Sequence, residues 1–215
     1  MHSNGFIKHA FAIVAAISLS TTGCEDNDNT AGTDYGDNDP NLVVCIGDSL
    51  TMGYMSEGEP YPTRLAGMTG KTIYNYGVGG VGSDHGVSVI SSVVARKPAY
   101  VCILYGSNDA ITLEGVNLVR TKENLRRIIT MCRIYKCIPI IATIPPQNGP
   151  HLMFNGNATR IADAIRELAA EESVCLVDLN RAFGDGSLYL NPEDGLHLSD
   201  AGGDLIAKKF SAKIP

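Results

Sequence analysis

The sequence predicts an α/β fold: a three-layer α/β/α sandwich with a five-stranded parallel sheet at its centre. Three observations predict it. From residue 42 onward, short β-rich runs alternate with helix-length stretches, the pattern of repeated strand–helix–strand units. Several of the β-rich runs are apolar throughout, as parallel strands covered on both faces are. The unusual Gly-, Ser-, Asn- and Pro-containing segments fall directly after strand candidates, where ligands bind in open α/β sheets.

The elements follow in order. Leu42-Val43-Val44-Cys45-Ile46 reads as the first strand and 60–68 as a helix. Thr72-Ile-Tyr-Asn-Tyr76 is rich in β-branched and aromatic residues, which suit a pleated surface, and 84–95 is the next helix. Residues 100–105 (Tyr-Val-Cys-Ile-Leu-Tyr) form the third strand candidate. In 117–135, Leu118, Leu125, Ile128, Ile129 and Cys132 recur at helical spacing, with Arg120, Lys122, Arg126 and Arg127 largely on other faces. Strand candidates 138–144 and 174–178 and helices 157–172 and 199–211 complete the chain. No internal repeat and no second domain are visible, so residues 42–215 read as one unit.

The first 41 residues have a different character. Lys8 and His9 precede the apolar run Ala10–Leu19. That run is too short for a membrane span, which takes about 20 apolar residues, but suits an export signal. Ser20-Thr21-Thr22-Gly23-Cys24 then resembles the lipobox of bacterial lipoproteins, although Thr21 stands where Leu is usual. Residues 1–24 thus read as a signal peptide. The resemblance implies a lipid anchor at Cys24, which becomes the first residue of the mature chain, in the bacterial cell envelope. Several acyl chains hold a protein to a membrane where a single one does not. The alternative is ordinary cleavage and secretion. Residues 25–41 hold six acidic residues and no Lys or Arg and read as a flexible acidic tether.

Charge excludes one class of partner. The chain carries a net −6, but residues 42–215 hold 16 basic and 17 acidic side chains. A nearly neutral body gives no basic stripe for a nucleic acid. With 44% apolar and 19% charged residues, it can bury a core. Cys45, Cys102 and Cys175 lie in strand-like runs and read as small buried hydrophobes. Cys132 with Cys137, or Cys137 with Cys175, could pair. No C-x-x-C occurs, so no zinc ribbon or thioredoxin-type motif is supported.

The chemistry centres on Ser49, in Gly47-Asp48-Ser49-Leu50 at the exit of the first strand, and on Asp194-Gly195-Leu196-His197. A serine hydroxyl is a weak nucleophile until a base takes its proton. An imidazole does so near neutral pH, and a carboxylate three residues away can hold the ring in place. Taken singly, Ser49 would pass for a turn serine or a helix cap, and Asp194 and His197 for surface residues. Gly77-Val78-Gly79-Gly80-Val81-Gly82 also matches the glycine spacing of a dinucleotide site. That reading needs an acid at the end of the next strand, and residues 97–105 offer none. His85, His151 and His197 are scattered, with no H-E-x-x-H, so the sequence implies no metal and no cofactor. His85 and His151 read as loop or surface residues.

These segments together resemble the SGNH (GDSL) hydrolases. Ser49 stands in G-D-S-L, Gly80 in Asn75-Tyr76-Gly77-Val78-Gly79-Gly80, Asn108 in Gly106-Ser107-Asn108-Asp109, and Asp194 and His197 in the D-x-x-H block, all in family order. The resemblance covers about residues 42–210. It implies a flavodoxin-like sheet and a small-molecule ester substrate attacked by Ser49. It also implies an oxyanion cradle of the Ser49 N–H, the Gly80 N–H and the Asn108 side chain, with Gly79 the alternative to Gly80. Asp48 and Asp109 read as loop-fixing residues. Block spacing is most similar to the thioesterase I, lysophospholipase and arylesterase branch, while carbohydrate and peptidoglycan deacetylases share the same blocks. Residues 145–157 read as a long loop at the rim, where Leu152, Met153 and Phe154 either meet an acyl chain or cover a helix end.

Overall fold

The computed structural model describes residues 34–56 and 58–215. Five parallel strands form one sheet in the order β2-β1-β3-β4-β5. They are β1 (Asp39–Gly47), β2 (Thr72–Gly77), β3 (Pro98–Leu104), β4 (Ile138–Ala142) and β5 (Cys175–Val177). The helices are α1 (Ser49–Met52), α2 (Tyr61–Thr69), α3 (Ser83–Val94), α4 (Ser107–Ala110), α5 (Leu118–Ile134), α6 (Asn155–Glu172), α7 (Leu179–Phe183) and α8 (Asp200–Ser211). The fold is the α/β sandwich that the sequence predicts.

The strand order explains how the layers separate. Parallel crossovers are right-handed. The chain moves one way from β1 to β2, then back across β1 to β3, β4 and β5. Its helices therefore switch faces. On one side α2 packs on α8, with the Tyr61 and Phe210 rings stacked 5.7 Å apart. On the other, α3 packs on α5 and α5 on α6. Between β1 and β3 the connections diverge, and a crevice opens at the carboxyl ends of those two strands.

Burial follows position in the sheet. All of β3 is buried, as are Val43–Gly47 of β1. The edge strand β2 has only exposed and half-buried positions. On α5 the buried set is Thr121, Leu125, Ile128, Ile129 and Cys132, close to the predicted stripe. Lys122, Arg126 and Arg133 reach Glu167, Glu171 and Glu172 on α6. Exposed pairs of this kind stabilise by well under about 1 kcal/mol each, so the apolar face carries the contact.

Two expectations need correction. The acidic tether does not run to residue 41. Asp39 already pairs with Pro98 and its N–H donates to Lys97 O (2.8 Å). Asn38 is buried, donating to Tyr135 O (2.8 Å), while Tyr35 packs its ring against Tyr100 and Asp34 pairs with Lys136. Residues 34–41 therefore belong to the folded body. Their average composition is polar, but one aromatic and one amide with fixed partners suffice to dock them. Residues 25–33, the signal segment and Cys24 lie outside the described residues. Second, 149–154 is a 3-10 helix running directly into α6, with Leu152 and Met153 exposed. Of the two cysteine pairings the sequence leaves open, neither forms, since Cys132 and Cys137 are free thiols.

The crowding of α1 on the sheet generates a prediction. A Cβ at Gly77 would lie 2.1 Å from the backbone nitrogen of Met52 and 2.5 Å from Thr51 C. Backbone cannot retreat as a flexible side chain can. Gly77→Ala should lower unfolding free energy by about 1–3 kcal/mol, the range for forced overpacking, read as a lower urea midpoint.

Candidate active site

Ser49 owes its position to a helix of one turn. Asp48 caps it: Oδ1 accepts from Leu50 N (3.0 Å), and its carbonyl accepts from Thr51 N and Met52 N. Gly53, at φ +88°, closes the turn by donating its N–H to Ser49 O (3.0 Å). A residue with a Cβ is strained at that φ. Across the sheet, Gly47 is in register with Gly77 on one side and Leu104 on the other. The exits of β2, β1 and β3 therefore lie level. Ser49 follows the exit of β1 by two residues, Gly80 that of β2 by three and Asn108 that of β3 by four.

From the far end of the chain, the turn 191–198 brings the other two groups. Gly195 (φ +68°) donates to Asn191 O (2.8 Å), and Asn191 N donates to His197 O (2.7 Å). Asp194 Oδ1 accepts from Leu196 N (2.9 Å) and His197 N (3.0 Å), which aims its second oxygen at the ring. Asp194 Oδ2 lies 2.5 Å from His197 Nδ1, and His197 Nε2 lies 3.0 Å from Ser49 Oγ. A carboxylate can only accept, so the Nδ1 proton points at Asp194 and Nε2 is left to accept from the serine. Ser49 and His197 are both buried, His197 at 9% exposure.

Electrostatics support an ionised Asp194. Partial burial raises its carboxyl, but the bonds from the His197 ring and from the two backbone N–H groups outweigh that. The net effect holds it below the ordinary carboxylate range. A negative charge beside Nδ1 is what an imidazolium needs when Nε2 takes a proton.

Gly80 and Asn108 are tied together. Asn108 Nδ2 donates to Val81 O (2.9 Å), and the second N–H of that amide remains for another acceptor. Gly80 has φ +75°, and a Cβ built on it meets nothing within 4 Å. Its need for glycine comes from backbone conformation rather than protein crowding. Asp109 supports this corner: it accepts from Ser83 N (2.9 Å), Ser83 Oγ (2.7 Å) and Thr121 Oγ1 (3.0 Å). Asp48 and Asp109 thus fix the turns. Among the described residues, no three His, Cys, Asp or Glu side chains converge as metal ligands.

Sequence reasoning missed three contributors. Tyr54, half exposed, packs its ring at a steep angle against His197, centroids 4.9 Å apart. His151, expected at the surface, sits in the 3-10 helix with Nδ1 2.7 Å from Asp194 O. Asn148 N donates to Gly195 O (2.8 Å), and a Cβ at Gly195 would meet Asn148 O at 2.1 Å. The only signal in the sequence was Gly195 inside the D-x-x-H block. His85 lies 3.4 Å from the Tyr105 hydroxyl, away from the Ser49–His197 pair.

This geometry agrees with what the chain resembles. The lipoprotein YqeF of Bacillus subtilis (strain 168) is 33% identical over 164 residues, covering 69% of this chain. The match spans 63% of that relative's length. The lipase/acylhydrolase of Enterococcus faecalis superposes with a TM-score of 0.69 at 24% identity, covering 80% of this chain and 94% of its own. Axe2, an acetylxylan esterase of Geobacillus stearothermophilus, superposes with a TM-score of 0.68 at 21% identity, covering 81% and 94%. Both share the fold. No helix among the described residues is long and apolar enough to cross a membrane. Residues 45–205 match the GDSL-like lipase/acylhydrolase family, which takes in every segment of the site, and the chain belongs to that family.

Proposed function

We propose that this chain is a serine esterase, hydrolysing carboxylic ester or thioester bonds through an acyl-enzyme. The observation that carries this reading is the unbroken hydrogen-bond line from Asp194 Oδ2 through the His197 ring to Ser49 Oγ, at 2.5 and 3.0 Å. His197 Nε2 takes the serine proton as Oγ attacks the carbonyl carbon. Asp194 steadies the imidazolium. The proton then passes to the leaving oxygen, and the C–O bond breaks. Water repeats the sequence on the acyl-serine and regenerates the free hydroxyl.

Attack places negative charge on the carbonyl oxygen, and donors must already face it. Ser49 N–H and Gly80 N–H take that role with the spare N–H of Asn108. All three sit at level strand exits. Substrates are short- to medium-chain acyl esters or lysophospholipids. Exposed Met52, Tyr54, Met55 and Val78 support this, since they offer apolar surface near Ser49 and after β2. A second reading, an O-acetyl esterase acting on carbohydrate, draws support from the acetylxylan esterase of the same fold. The chain acts at the cell envelope, exported and held by lipid at Cys24. The lipobox-like segment and the lipoprotein relative support this placement.

Ser49→Ala should abolish hydrolysis of a p-nitrophenyl butyrate ester and labelling by a fluorophosphonate; a purified variant with wild-type turnover ends the proposal. Asn108→Ala should lower kcat by about 10²–10³, the loss found when one oxyanion donor is removed. A loss under about tenfold takes Asn108 out of the cradle. Comparing acetyl-xylan with esters of rising chain length separates the substrates. Faster turnover of a C8 ester favours acyl esters, and preference for acetyl-xylan favours the second reading.

A further inference from the structure

Tyr54 follows Ser49 by five residues and stands against its base. Gly53 and Met55, at φ +88° and +54°, turn the chain sharply on either side of it. Tyr54 N donates to Ser49 O (3.0 Å), so the backbone that carries the ring is bonded to the nucleophile's own residue. The ring meets the His197 imidazole with centroids 4.9 Å apart and planes at 69°. His197 is 9% exposed and Tyr54 51%. The base is nearly covered, while the ring beside it stands open to solvent.

The chemistry fixes which part of a substrate comes to this place. Once Ser49 Oγ has attacked, the carbonyl carbon carries Oγ, the oxyanion, the acyl chain and the leaving oxygen. The oxyanion turns to Gly80 and Asn108, beyond the exits of β2 and β3. The leaving oxygen receives its proton from His197 Nε2 and must come within about 3 Å of it. Nδ1, the other nitrogen of that ring, is engaged by Asp194. A group carried on the leaving oxygen therefore lies beside the imidazole, where the Tyr54 ring is packed. Met52, on the same turn, leans elsewhere: a Cβ on Gly79 would meet its methyl carbon at 3.4 Å, in the glycine-rich segment after β2.

We propose that Tyr54 determines specificity for the alcohol part of the ester, its exposed ring taking a second ring, aromatic or sugar, carried on the leaving oxygen. The inference rests on the esterase reading and deepens it, because it treats the alcohol apart from the acyl chain. A tyrosine offers broad contact area at little cost in side-chain freedom, and its ring favours offset or edge contact with another ring. The effect belongs to the first half-reaction alone. The alcohol has left before water attacks the acyl-serine, so Tyr54 has nothing to hold during deacylation. A small alcohol such as ethanol does not reach across the ring and gains nothing from it.

The test compares kcat/KM for the phenyl, xylopyranosyl and ethyl esters of one short acid in the full chain, in Tyr54→Ala and in Tyr54→Phe. The phenyl ester is repeated with a C8 acid, and deacylation is timed from pre-steady-state bursts. Tyr54→Ala should lower kcat/KM for at least one ring ester by about three- to tenfold, the size of a lost aromatic contact, and leave the ethyl ester within about twofold. Tyr54→Phe should keep the wild-type ratio between esters, and deacylation should be unchanged in both variants. Loss on the phenyl ester alone assigns an aryl alcohol, and loss on the xylopyranosyl ester alone a sugar. An equal loss on all three alcohols overturns the proposal and leaves Tyr54 a support for His197. So does no loss on any, or a loss that follows acyl length instead of the alcohol. A flat ratio in a chain that fluorophosphonate labels at Ser49 removes this inference alone. A wild-type chain that neither turns over these esters nor takes the label overturns the esterase reading and this inference with it.

Discussion

The site depends on backbone meeting backbone where no side chain fits. At the exit of β2, Gly77 lets the turn Thr51–Met52 press directly on the sheet, and Gly47 faces Leu104 O at the distance where a Cβ would stand at 2.5 Å. At the other side of the crevice, Gly195 lets the D-x-x-H turn close on Asn148 O. These contacts set the height of Ser49 and His197 above the sheet. A hydrogen bond of 3.0 Å between groups 148 residues apart tolerates little play. Two turns each pinned by a backbone contact provide that tolerance better than side chains, which rotate.

The relay is then supported from behind rather than by its own two bonds. Asp194 Oδ1 is held by two backbone N–H groups, its carbonyl by His151, and the turn by Asn148. Tyr54 packs its ring against that of His197. An imidazole that must swap a proton between an incoming and an outgoing oxygen needs one fixed orientation. Packing on its face and a short bond at Nδ1 limit its rotation without occupying Nε2.

Much of this was legible in the sequence, for identifiable reasons. Continuous apolar runs such as Leu42–Ile46 and the facing set on α5 carry their periodicity locally, so strands and helices emerge close to their observed ends. Ser49 stood out because it follows a strand exit that the fold class sends to the rim, and Asp194 and His197 because a carboxylate and an imidazole stand three residues apart. The tether boundary was misplaced because composition averages over a segment, whereas docking of 34–41 depends on Tyr35 and Asn38 finding partners far along the chain. Tyr54, His151 and Asn148 follow no period or spacing. Their roles arise from loop geometry, which local sequence does not encode. Gly80 has φ +75°, a backbone need that its place in the glycine-rich segment does not by itself reveal.

Three aspartates around one crevice show why residue type alone cannot assign a charge state. Asp194 is half-buried but receives a ring N–H and two backbone N–H bonds, so its negative charge is retained. Asp109 accepts from Ser83 at both atoms and from Thr121. Asp48 is sealed from water, receives a single well-formed bond and has another acid nearby, so burial decides. Two of the three lie within one residue of a group assigned to the reaction in the same sequence context, Asp48 before Ser49 and Asp109 after Asn108. One site thus holds a charged carboxyl that steadies an imidazolium and a sealed one that caps the serine turn. The number of donors each turn presents separates those roles, and that number is set by backbone geometry.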